Sequence, residues 1–297
     1  MILKLGIIGL SEGNGHPYSW SAIFNGYEPV AMKGCGYPAI PHYLEQQDWP
    51  AAQHQEARVT HIWTQDIQLS YQIAKASRIE HVAENMHDLI GQVDAVLLAR
   101  DDGHNHLSFA KPFLEAGLPI YIDKPICLEL DELEQLYALQ QYPGQIFSCS
   151  ALRYSHEFQL TEADKIALGP LKQIQAIVPK DWARYAVHVI EPLLALAGEQ
   201  GKLLSSQQCL QGEVCTNHYA WESGFLATVS TMGSAPCPLS LRVIGEDGWK
   251  DLFFADTFYA FKEALNDFVN GVLKKEERTD PLFMRRVVEM IELGMQK

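Results

Sequence analysis

Leu118-Pro-Ile-Tyr-Ile-Asp-Lys-Pro125 decides how this chain is read. An apolar strand runs into Asp123-Lys124-Pro125, which delivers a fixed cation to the strand's C-terminal end. Upstream, Asp94-Ala-Val-Leu-Leu-Ala99 reads as a second buried strand, followed by the polar run Arg100-Asp-Asp-Gly-His-Asn-His106. Between the two, Leu107, Ala110 and Leu114 keep helical spacing up to Gly117. Strand, helix, strand is the unit of a parallel sheet, and open α/β sheets bind ligands at the C-terminal ends of their strands.

The first residues point to the ligand. Met1 to Gly9 reads as a buried strand, and Leu10-Ser-Glu-Gly-Asn-Gly-His16 is a loop rich in residues that accept positive φ. A helix starts near Pro17 and carries Trp20, Ile23 and Phe24. A strand, a glycine loop and a helix start together hold a pyrophosphate on backbone amides. The spacing Gly-x-Gly-x-x-Gly is absent, and Gly9, Gly13 and Gly15 stand instead. Tight chain reversal explains such a turn equally well.

In order and spacing these segments resemble the glucose-fructose oxidoreductase, inositol dehydrogenase and MocA family of NAD(P)-dependent dehydrogenases. Asp94 to Ala99 fits the family's fourth strand, His106 the histidine after it, and Asp123-Lys124-Pro125 its Glu-Lys-Pro signature. Ala151-Leu-Arg-Tyr154 falls where the family has an Asn-x-Arg-Phe-like stretch, and His188 matches a second active-site histidine. Phe261 to Phe268 resembles a helix near the family's C-terminus. The resemblance implies an N-terminal Rossmann-type doubly wound parallel sheet and a C-terminal α+β domain with a mostly antiparallel open sheet. It also implies NAD or NADP as cofactor, a sugar-like small-molecule substrate, and a homo-oligomer, dimer or tetramer, through the C-terminal sheet.

Composition agrees. A chain of 297 residues suggests two domains, here 1–125 and 126–297. A net charge of -14 argues against nucleic acid and anionic membranes as partners. No apolar run approaches the roughly 20 residues of a membrane span. The N-terminus reads as a strand with no cleavable leader, and six cysteines without Cys-x-x-Cys spacing read as reduced thiols of a cytoplasmic protein.

Residues 26–57 are rich in Gly and Pro and read as an insertion, either a surface loop or a flap over the cofactor or a subunit contact. Glu28 to Lys33 and Arg58 to Thr64 compete for the second strand, and the β-branched second segment is favoured. Downstream, Leu130 to Gln141 reads as a helix, and Gln145 to Ser150 and Leu171 to Val178 as strands. Strand-like runs follow at Gln208 to Val214, Thr216 to Trp221, Gly224 to Ser230 and Leu239 to Ile244. Helices near Phe258 to Val272 and Pro281 to Leu293 close the chain.

Oxidising a secondary alcohol needs a hydride acceptor and a group that takes the hydroxyl proton. Lys124 is the first candidate to contact the hydroxyl, and His188 the second. The expected cofactor contacts are Gly9, Ser11, Gly13, Asn14, Gly15, His16, Thr64, Asp66, Ala99, Arg100, His106 and Asp123. Arg100 either meets the dinucleotide or bridges to Asp102. Thr64 and Asp66, at the end of the second strand, leave NAD versus NADP open. Relatives commonly carry Asp four residues before the second histidine, whereas Arg184 stands here, and Ala186 replaces a glycine. Arg153, Arg184 and Tyr185 are the substrate candidates, and two arginines near Lys124 would favour an anionic or nucleotide-linked sugar. The alternative turns Arg184 outward to Asp181 or Glu191. His104-x-His106 lacks further ligands for a metal, so none is expected. A competing class is a non-catalytic dinucleotide-binding paralogue that serves as sensor or partner subunit.

Overall fold

The computed structural model describes residues 2–295. The chain divides into two compact units. The first takes the chain up to Cys127, then Asp131–Cys149 and Phe261–Asp280; the second takes Leu128–Leu130, Ser150–Ala260 and the residues from Pro281 onward. The expected division after Pro125 therefore differs from the observed one, because a late segment rejoins the first unit.

The first unit is built on strands β1 (Leu3–Gly9), β2 (Ala57–Thr64), β3 (His81–Val82), β4 (Ala95–Leu98), β5 (Ile120–Ile122) and β6 (Ile146–Phe147). They form one parallel sheet in the order β3-β2-β1-β4-β5-β6. Helices α1 (His16–Asn25), α2 (Pro29–Lys33), α3 (Ala39–Glu45), α4 (Ile67–Ala76), α5 (His106–Glu115) and α6 (Leu130–Ala138) lie along the chain between strands. Leu5, Ile7, Ile8, Val96, Leu97 and Leu98 are fully buried, as a parallel sheet covered on both faces requires. The strand order reverses at β1, so the C-terminal ends of β1 and β4 are neighbours where open sheets bind ligands. An aromatic stack backs this end. Trp20 stacks on Tyr121 at 4.7 Å, and Tyr121 meets Phe147 at 4.7 Å and Phe268, from the rejoining segment, at 5.6 Å.

The favoured second strand forms as β2, while Glu28 to Lys33 becomes a helix turn instead. The Glu28 carboxylate accepts from the amides of Val30 and Ala31, and Pro29 opens α2. The insertion packs against the loop after β1. A side chain added at Gly15 would lie 2.6 Å from Ile40 and 2.8 Å from Tyr37.

The second unit continues with α7 (Glu162–Leu168), β7 (Leu171–Val178), α8 (Trp182–Tyr185), α9 (Val187–Ala197), β8 (Leu203–Gln211), β9 (Val214–Trp221), β10 (Leu226–Thr231), β11 (Ser240–Gly245) and β12 (Trp249–Phe253). The sheet order is β12-β11-β7-β10-β9-β8, with β7 and β10 parallel and every other pair antiparallel. Ile174, Ala176, Val178, Tyr219, Val229 and Val243 bury one face, together with Val189, Ile190 and Leu193 of α9. The expected run Gln208 to Val214 breaks because the chain reverses at Gly212, whose φ of 62° suits glycine. β12 escaped the sequence reading, since Lys250 and Asp251 interrupt its apolar residues. α10 (Thr257–Lys274) and α11 (Pro281–Leu293) follow. Among the described residues no helix is long and apolar enough to cross a membrane.

Candidate functional site

In the first unit the polar residues gather at the ends of β1, β4 and β5. Counting from Gly9, the usual spacing would put glycines at positions 11 and 14, where Ser11 and Asn14 stand. Both side chains tie the loop to a strand end. Ser11 Oγ donates to Asp101 Oδ1 at 2.6 Å and accepts from the Asp101 amide at 3.0 Å. Asn14 Nδ2 donates to Asp123 Oδ2 at 2.9 Å, and its Oδ1 accepts from the His16 amide at 2.8 Å. His16 Nδ1 reaches the same Asp123 oxygen at 2.5 Å, with its ring stacked on Trp20. The other Asp123 oxygen accepts from the Lys124 amide at 2.7 Å. Lys124 Nζ lies 3.4 Å from Asp101 Oδ2. Ser11, Asn14, Asp101, Asp123 and Lys124 are all buried.

Burial alone would raise the Asp123 carboxyl; the His16 ring, Lys124 and Asn14 together outweigh it and hold the group below the usual carboxylate range. A buried carboxylate with several donors stays charged and fixes the groups around it.

The loop fits a phosphate-bearing nucleotide. Gly13 has φ 81° and nothing within 4 Å of where a Cβ would stand, so its backbone is open to close approach. Gly15 precedes α1 without a side-chain cap. Gly9 lets Pro17 and Ala99 approach the strand end, and Ala99 is fully buried.

Other expected cofactor residues are engaged within the protein. Thr64 Oγ1 donates to the Asp66 carbonyl at 2.6 Å and shares a hydrogen bond with Ser70. Asp66 caps α4 by accepting from the Gln68 amide. Arg100 takes the bridging alternative: it forks onto Asp102 at 2.9 and 2.6 Å, with Phe109 under its guanidinium at 4.4 Å. Burial pushes the Asp102 carboxyl up, yet the bonds from Arg100 and Asn105 hold it low. His106 is fully buried, with one ring nitrogen at the Ile126 carbonyl and the other at the Arg100 carbonyl. It clasps the segments after β4 and β5 to each other, so its ring nitrogens are not turned to a ligand. His104 is exposed and apart from it. Among the described residues no three His, Cys, Asp or Glu side chains gather as a metal site.

In the second unit, α9 carries His188. Its Nδ1 lies 2.9 Å from Ser150 Oγ, and Tyr185 stands edge-on to its ring at 5.3 Å. One turn on, buried Glu191 accepts from the Ser150 amide at 2.7 Å and lies 3.7 Å from Arg153 Nε. Burial pushes the Glu191 carboxyl up to about 7, against the pull of Arg153 and the Ser150 amide. Arg153 also packs over the Tyr154 and Phe283 rings. Tyr185 OH pairs with Lys180 Nζ. Arg184 forks onto Asp181 at 3.1 and 3.0 Å and is half-exposed, the outward alternative rather than the substrate one. The cause is local: Asp181 caps α8 by accepting from the Arg184 amide, so both ends of Arg184 close on one carboxylate.

Asp101, Ser150 and Glu191 were missed as site residues. Each had a signal: a carboxylate in the polar run after a buried strand, a serine just before Ala151-Leu-Arg-Tyr154, and an acid within an apolar helix.

Residues 29–150 match the model of an oxidoreductase family with an NAD-binding Rossmann fold. The match begins after the loop whose glycine spacing departs. An uncharacterized oxidoreductase of Synechocystis sp. is 27% identical over 157 residues, which cover 52% of this chain and 40% of that relative, well under its whole length. Myo-inositol 2-dehydrogenase from Lactobacillus plantarum superposes with a TM-score of 0.74 at 14% identity, over 98% of this chain and 96% of that one. GenD2 from gentamicin A biosynthesis, solved in complex with NAD, gives a TM-score of 0.73 at 14% identity over 98% and 93%. At that identity the likeness shows the fold.

Proposed function

We propose, from the match of residues 29–150 to the model of an oxidoreductase family with an NAD-binding Rossmann fold, that this protein is a nicotinamide-dependent dehydrogenase of a secondary alcohol on a sugar or cyclic polyol. The observation that carries the reading is Lys124, buried at the end of β5 beside a glycine loop tied to the same cluster. The loop around Gly13 holds the pyrophosphate, and the nicotinamide supplies the hydride acceptor when bound. Lys124 contacts the reacting hydroxyl, and His188, oriented by Ser150, is a second candidate for substrate contact. NAD is favoured over NADP. Arg100 is locked to Asp102 and hydrogen-bonded to Gln65, which engages the guanidinium that would otherwise meet a 2′-phosphate.

The charge pairing does not favour an anionic substrate. Arg184 is neutralised by Asp181 and Lys124 pairs with Asp101, while Arg153 lies beside Glu191. Neutral polyols and sugars suit this balance of charge. The reading includes a homo-oligomer through the outer face of the second sheet, where Ile177, Leu226, Trp249 and Phe253 are exposed.

The test incubates the protein with NAD or NADP and a panel of inositols, aldoses and sugar nucleotides, following nicotinamide reduction. Reduction with a neutral polyol or sugar supports the reading. Nucleotide binding without reduction across the panel supports the sensor or partner-subunit alternative, which the arginine at position 184 favours.

A further inference from the structure

We propose that Asp101 is the carboxylate through which Lys124 handles its proton, a positioning residue for the dehydrogenase reaction; this rests on the reading above. Three carboxylates lie at the ends of β4 and β5, and two are engaged elsewhere. Asp123 gives one oxygen to His16 and Asn14 and the other to the Lys124 amide. Asp102 gives both oxygens to Arg100, and one of them also to Asn105. Asp101 differs. Ser11 Oγ holds its Oδ1 at 2.6 Å, which aims Oδ2 at Lys124 Nζ, 3.4 Å away. Both members of that pair are buried. A buried ammonium is costly without a counter-charge, so this carboxylate makes the placement of Lys124 tenable. Ser11 belongs to the glycine loop, so the loop that holds the nucleotide also orients this acid.

The step balances. The alcohol carbon gives its hydride to the nicotinamide, the O–H bond breaks, and the C–O bond becomes C=O. Lys124 Nζ passes one of its protons to Asp101 Oδ2 and takes the hydroxyl proton in its place. Lys124 ends unchanged and Asp101 ends as a carboxylic acid, which loses its proton to water after the ketone leaves. Reduction of a ketone runs the same transfers backwards.

Two variants test this, with NAD and whichever neutral polyol or sugar of the panel the native protein oxidises. Asp101→Asn keeps the shape and removes the charge; kcat is expected to fall roughly 100-fold or more, with KM and calorimetric NAD affinity little altered. Asp101→Ala leaves room for a small anion. Added formate is expected to raise its kcat about tenfold or more toward the native range set by acid–base assistance, and chloride at equal ionic strength is not. A role confined to packing would respond to neither anion. Native-like turnover by Asp101→Asn, or no formate rescue of an Asp101→Ala protein that binds NAD normally, overturns the assignment. Absence of native turnover across the panel overturns the dehydrogenase reading and the proton route with it; native turnover with an indifferent Asp101→Asn overturns the route alone.

Discussion

Asp123 remains a carboxylate in a buried place because donors surround it, and that is how one side chain can hold both a loop and a lysine. Asp123→Asn puts an amide nitrogen against His16 or Asn14, and NAD affinity measured by calorimetry should weaken about tenfold, the worth of one charge-assisted bond. Lys124→Ala should lower turnover by roughly two to four orders of magnitude, with NAD affinity changed far less; near-normal turnover on the best substrate excludes the role. Glu191 yields a pH prediction. Its folded value of about 7 lies above the ordinary value of 4.5, so the folded state binds more protons across that window. Its stabilising contribution is full below the lower value and is lost as pH rises through the upper one, on the order of 1–3 kcal/mol. His54, which burial lowers from 6.5 to about 4, acts in the opposite sense. Comparing native protein with Glu191→Gln cancels the His54 effect. The Tm of the native protein relative to the variant should fall from about pH 5 to about pH 8, and a flat difference excludes the assignment.

Loop and insertion can be separated at the scale of elements. Gly13 has open space around it but a φ of 81°, whereas Gly15 has ordinary backbone and a crowded Cβ position against Tyr37 and Ile40. Gly13→Val should therefore abolish NAD binding with a small loss of Tm, of about 1–2 kcal/mol in stability. Gly15→Val should lower Tm more, because it displaces the insertion. Equal melting losses for the two would refute the distinction. The sequence made the parallel sheet legible wherever burial is complete on both faces, as in Ala95–Leu98 and Ile120–Ile122, because uninterrupted apolar runs between helical spacings have few other readings. It hid β12, where Lys250 and Asp251 break the apolar run, and the short helices at Pro29–Lys33, which the Glu28 cap stabilises, and Ala39–Glu45, in a stretch broken by prolines. At the site, Lys124 was legible from its Asp-Lys-Pro context. The turning of Arg184 to Asp181 was legible only as one of two alternatives, since a side chain's choice between partners depends on the cap of a four-residue helix. The pairing of Asp101 with Lys124 was not legible, because the two lie 23 residues apart, beyond any local pattern.

For the whole molecule, the net charge of -14 opposes self-association, so an oligomer needs an apolar face to overcome repulsion. Trp249 and Phe253 are 64% and 55% exposed on the second sheet. Trp249→Glu combined with Phe253→Asp should reduce the solution mass by light scattering to that of one chain, and an unchanged multiple would rule this face out. The rejoining segment Phe261–Asp280 bears on how the protein is made. Phe261 meets the His16 ring edge-on at 5.0 Å, and Phe268 seals Tyr121 and Phe147. A ribosome that has delivered the six parallel strands has not yet delivered these rings, and more than a hundred residues of the second unit emerge in between. The nascent first unit thus waits, its aromatic stack uncovered, until the second is already outside the exit tunnel. Chaperone demand should peak in that interval. A fragment stopped at Ser150 should bind hydrophobic dyes and aggregate, and adding the separate peptide 257–280 should suppress both.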